Sequence, residues 1–170
     1  MVACSTERRW FKMDHQEPNA HTELSLRQGR IWERRFFGCT TDDFPTPIKT
    51  SWDNALRYAL NSQMRRRWDP SAPKTQIAGE AFECARSYID PKWAGELRLY
   101  CALGTALDWY YGANGFFAIG ETVVCIDLTC QVKPPRRRRV LFTRDDCIGN
   151  RLWHPCNEVV RLFDELLKND

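Results

Sequence analysis

The chain has 170 residues, 43% of them hydrophobic and 28% charged, with a net charge of only +3. That balance excludes wholesale disorder, and the length suits one domain, 1–170, with a buried core. No apolar run approaches the ~18 residues of a membrane span, and residues 1–14 lack the features of a signal peptide, so no membrane partner and a cytoplasmic address are expected.

Residues 1–48 are weakly patterned, and the segment RIWERRFFG suggests a strand or short helix over 31–37, followed by a proline-rich loop. The first clear helix is expected over 51–67, capped by Thr50 or Ser51, with Trp52, Leu56, Ala59, Leu60 and Met64 as its buried stripe. Asp69-Pro70 and Pro73 end it. A second helix spans 75–89, capped by Thr75, with Ile77, Ala81, Phe82, Ala85, Tyr88 and Ile89 as its apolar face and Glu80 and Glu83 three apart along one side. Residues 97–107 fit either a short helix followed by a strand or an extended run throughout.

Residues 108–133 carry the strongest pattern. Two β-rich runs, 115–119 and 122–126, flank Gly120-Glu121, which is the composition of a hairpin with a type II′ turn. Along the second strand Val124, Ile126, Leu128, Cys130 and Val132 alternate with Asp127, Thr129, Gln131 and Lys133. The two-residue turn sets the register: Asn114 opposes Asp127, and Asp108 opposes Lys133 if pairing runs that far. Pro134-Pro135 ends the strand, a further strand is expected over 140–143, and an amphipathic helix over 157–168 closes the chain.

Eight cysteines are scattered without any C-x-x-C pair, and several lie in apolar text, so reduced core thiols are the preferred reading. Cys147, His154 and Cys156 come nearest to a zinc site, but without the paired spacing of a structural one. The positive charges are bunched, as Arg65-Arg66-Arg67 and Arg136-Arg137-Arg138-Arg139. Such runs are either a solvated face or contacts to a phosphate backbone.

The succession GEAFECARSYI, LGTALDWYYGANGFFAIG and ETVVCIDLT resembles the PD-(D/E)XK, or restriction-endonuclease-like, nuclease superfamily over residues 75–133. The resemblance implies an α+β fold, a central mixed β-sheet with a long β-hairpin flanked by helices. Its helix glutamate corresponds to Glu83, with Glu80 second, its first-strand acid to Asn114 and its second-strand acid to Asp127. It implies Mg²⁺ as cofactor, held by Glu83, Asp108, Asn114 and Asp127, because phosphodiester cleavage uses a hard cation with oxygen ligands to polarise the phosphate and activate water. Glu83, Asp127 and Lys133 are then the candidate catalytic residues, and Arg136, Arg137, Arg138 and Arg139 the candidate nucleic-acid contacts. The chain departs from the family pattern at Asn114, where an acid is usual, and at Thr129, where a lysine is usual; Lys133 points the same way four residues on.

Three functional readings are carried forward. The chain is a metal-dependent nuclease or a nuclease-derived protein acting on DNA or RNA, or a non-catalytic nucleic-acid- or protein-binding module of the same fold, or a small accessory protein of unrelated α+β fold.

Overall fold

A computed structural model describes residues 20–130, 139–148 and 151–168. Helix α1, Ala20–Phe37, absorbs the segment expected as a strand or short helix. Trp32 and Phe36 recur at a spacing of four and are buried together with Phe37, while Ile31, one residue before Trp32, faces out. Gly38 ends the helix with φ +77°, its N–H donating to Arg34 O at 2.9 Å. A 3₁₀ turn at Thr41–Asp43 follows.

Helix α2, Trp52–Asn61, is capped by Ser51, whose hydroxyl accepts Asn54 N–H. It is shorter than the sequence suggests, and its buried stripe differs. Ala55 and Ala59 are fully buried, whereas Trp52, Leu60 and Met64 are 36%, 36% and 90% exposed. The helix seats its alanine face against the helix that precedes the hairpin, where large side chains would hold the two apart. Helix α3, Gln76–Tyr88, has the expected cap at Thr75 and buries Ala81, Phe82 and Ala85 as expected, with Ala78 added, but Tyr88 at its last position is turned outward and is 53% exposed. Asp90 caps the short α4, Pro91–Ala94.

The ambiguous stretch resolves into strand β1, Arg98–Cys101, a tight turn, and helix α5, Ala106–Tyr111. Thr105 caps α5 through Leu107 N–H, and Gly112 (φ +65°) closes it. Strands β2, Gly115–Ile119, and β3, Thr122–Thr129, form the hairpin in the expected register, with Gly115 opposite Ile126 and Ile119 opposite Thr122. Gly120 has φ +56° at the turn. The pairing of β2 with β3 ends at Gly115, because the caps at Thr105 and Gly112 turn the residues before it into a helix. Asp108 therefore sits on α5, not opposite Lys133 on an extended strand, and Lys133 lies outside the described residues. Strand β4, Arg139–Thr143, helix α6, Arg144–Ile148, and helix α7, Trp153–Leu167, complete the fold.

The architecture is α+β, with a mixed four-stranded sheet of order β1-β2-β3-β4. The pairs β1–β2 and β2–β3 are antiparallel, and β4 is parallel to β3. Leu99, Phe117, Val124, Ile126, Val140 and Phe142 share one core with residues of α1, α3 and α7. On the opposite face, Phe116, Ala118 and Cys125 meet α2 and α5. Central strand β3 is thus covered on both sides, and its six residues from Val124 to Thr129 are all buried.

Candidate functional site

Asp127 and Thr129 fall on the β3 face that packs toward α5, in phase with Cys125, so any polar chemistry there is buried rather than solvated. Helix α5 delivers Asp108 to the same place. One carboxylate oxygen of Asp108 accepts the Thr41 hydroxyl at 2.7 Å and Gly104 N–H at 2.8 Å. The other accepts the Asn114 carboxamide NH₂ at 3.0 Å, and the Asn114 carbonyl in turn accepts Leu128 N–H at 2.7 Å. Asn114 therefore bridges α5 to β3 with both ends of its side chain. Gly104 is fixed by geometry: at φ +68° a Cβ there would lie 2.5 Å from the Phe44 side chain.

From the other side, α1 brings Glu33 to this network. Thr41 joins the two carboxylates, donating its N–H to Glu33 at 2.9 Å and its hydroxyl to Asp108. Glu33, Thr41, Asp108, Leu128, Thr129 and Cys130 line an open cleft of about 380 Å³ between α1 and the end of β3. Burial pushes the Glu33 carboxyl up to about 7, the negative charge of Asp108 adding to it against the Thr41 N–H bond. Burial also raises the Asp108 carboxyl, opposed by its hydrogen bonds from Thr41, Gly104 and Asn114.

Asp127 faces Arg139 of β4, with Nη1 to Oδ2 at 3.9 Å and both side chains about 10% exposed. Arg139 also donates through Nη2 to Tyr111 O at the end of α5. The last arginine of the run is therefore an interior residue tying β4 to α5 and β3, not a surface charge, because β4 begins at that residue and sets it inside the sheet. Arg136, Arg137 and Arg138 lie outside the described residues.

Of the residues expected to form the site, the structure brings together Asp108 and Asn114 by a direct hydrogen bond and sets Asp127 close enough for its charge to bear on Asp108. Glu83 is elsewhere in the bonding pattern: its side chain is 59% exposed on α3 and ion-paired with Arg86 at 2.8 Å. Glu80 accepts from Gln76 one turn earlier. The helix carboxylate that does reach the cleft, Glu33, was not singled out in the sequence. Its signal is the Trp32–Phe36 spacing, which marks a helix whose buried stripe carries Glu33 along its edge.

The donor set is entirely oxygen, which suits a hard cation in kind. It does not suit one in arrangement. The Asn114 carbonyl is taken by Leu128 N–H, both Asp108 oxygens accept protein donors, and among the described residues no group of three His, Cys, Asp or Glu side chains is placed to hold a metal ion. No family model, curated protein or solved structure matches the chain.

Proposed function

We propose that this chain is a nuclease-derived protein that holds nucleic acid without cleaving it, the metal-binding half of its centre having become a hydrogen-bonded lock. The observation that carries this reading is Asn114. An aspartate there would offer Mg²⁺ a carboxylate, whereas the carboxamide supplies the NH₂ that neutralises part of the Asp108 charge. With the donors from Thr41 and Gly104, that NH₂ occupies the Asp108 oxygens that a metal ion would otherwise draw on. The hairpin pattern that resembles the nuclease superfamily supports the ancestry, and the arginine run after β3 supplies charge for phosphates.

Melting with and without Mn²⁺ tests the proposal. Asn114→Asp removes the donor to Asp108 and sets two carboxylates face to face, which in metal-free buffer should cost about 1 kcal/mol or more. With Mn²⁺ the variant should regain that stability by linkage of binding to folding, and wild type should not respond. Adding Asp127→Ala should abolish the regain. Destabilisation of Asn114→Asp that Mn²⁺ fails to reverse would count against the nuclease ancestry, and Mn²⁺-dependent cleavage by wild type would overturn the non-catalytic reading.

A further inference from the structure

Outside the carboxylate network, the structure places two thiols against each other from distant parts of the chain. Cys39 follows Gly38 at the end of α1, and Cys101 ends β1; their sulfurs are 3.9 Å apart. We propose that Cys39 and Cys101 form a reversible disulfide on exposure to a hydroperoxide, and that closing it displaces the Thr40–Thr41 turn that holds the carboxylate cleft.

The two sulfurs are unequal in the way such a step needs. Cys39 is half-buried and open to a small oxidant, whereas Cys101 is buried. The contact with Cys101 and the positive charge of Arg66 hold the Cys39 thiol below its usual range, while burial pushes Cys101 well up. The Cys39 thiolate attacks a peroxide oxygen; the S–O bond forms, the O–O bond breaks, and the leaving alkoxide or hydroxide takes up the proton given up when Cys39 ionised and departs as alcohol or water, leaving a sulfenic acid. The Cys101 sulfur then attacks Cys39 Sγ. The S–S bond forms, the S–O bond breaks, and the hydroxide leaves with the Cys101 proton as water. Two thiols lose two electrons and the hydroperoxide takes them.

The sulfurs must close to about 2.05 Å. Cys101 cannot easily travel, because Gln63 grips its backbone twice, donating to its carbonyl at 2.8 Å and accepting its N–H at 3.1 Å. The movement therefore falls on Cys39, beside Gly38 in its left-handed conformation. Two residues on, Thr41 N–H holds Glu33 and its hydroxyl holds Asp108. Oxidation would thus loosen the cleft from a position outside its lining.

The test uses the full chain with limiting hydrogen peroxide, followed by alkylation, proteolysis and mass spectrometry. A peptide pair linking Cys39 to Cys101 should be the first disulfide to appear and should be lost on adding dithiothreitol. In Cys101→Ser the Cys39 sulfenic acid should persist and be trapped by dimedone; Cys39→Ser, at the more exposed position, should abolish the linked pair with the fold retained. Oxidation of Cys39 to sulfinic acid without a linked pair, or earlier linkage of other cysteines, would overturn the assignment. Amide hydrogen exchange at Thr41 should quicken in the oxidised form, and unchanged protection there would overturn the coupling to the cleft.

Discussion

At position 114 the difference between Asn and Asp is one hydrogen-bond donor, and the surroundings make that difference large because Asp108 is buried and fully engaged. At position 33 the difference is a proton. The folded protein holds that proton more tightly than an unfolded chain, since the Glu33 carboxyl is raised from its ordinary value to about 7. Its contribution to stability is therefore complete below the ordinary carboxyl value and is lost as pH rises through about 7. Glu33→Gln keeps an oxygen for Thr41 N–H and cannot ionise. The variant should melt with wild type near pH 4.5 and above it at pH 8, by on the order of 1–2 kcal/mol after allowance for solvent at the cleft. Equal melting of the two proteins at pH 8 would show that Glu33 ionises freely. The hairpin register and the side of β3 that Asp127 shares with Cys125 are readable from the sequence, since both follow from a two-residue turn and strict alternation. Glu33 was not, because its partners Thr41 and Asp108 lie 8 and 67 residues apart from Glu33 and Thr41 respectively, and no local pattern joins them.

At the scale of elements, capping explains what was legible and packing explains what was not. Helix α3 carries its cap and its apolar face in its own residues, and so it appears where expected. Helix α2 was expected to bury its large side chains, yet the close seat against α5 selects Ala55 and Ala59 instead. The Asp108 segment reads as hairpin until Thr105 and Gly112 are seen to cap it. Strand β4 adds an interaction that needs three elements at once, Arg139 reaching Asp127 on β3 and Tyr111 on α5. Removing one member of a buried pair strands the other charge, so Asp127→Asn and Arg139→Met should each destabilise by about 3 kcal/mol or more. The double variant should recover a large part of that loss, which chemical denaturation in a double-mutant cycle would measure. Simple additivity would mean that the two charges do not depend on each other.

At the scale of the whole molecule the described arginines of the two runs differ in placement. Arg65 and Arg67 are exposed, whereas Arg66 covers the Phe44 ring at 4.0 Å and donates to Leu103 O. In the second run Arg139 is interior, and the proposed phosphate contacts therefore fall to Arg136, Arg137 and Arg138. No described helix is long and apolar enough to cross a membrane. Each arginine that neutralises a phosphate releases counterions and steepens the fall of affinity with salt by about 0.9 on duplex and about 0.7 on single strands. Replacing Arg136, Arg137 and Arg138 together with Ser should accordingly flatten the logarithmic salt dependence by up to about 2.7 on duplex while leaving the melting temperature nearly unchanged. Arg139→Ser should do the reverse, lowering the melting temperature because Asp127 loses its buried partner, and leaving the slope of the folded protein intact. Fluorescence anisotropy across a salt series, read beside thermal melts, separates the two. Absence of binding to duplex and single strands at low salt would remove the nucleic-acid reading altogether; a slope that flattens equally with Arg139→Ser would mean that Arg139 leaves the interior to meet phosphate.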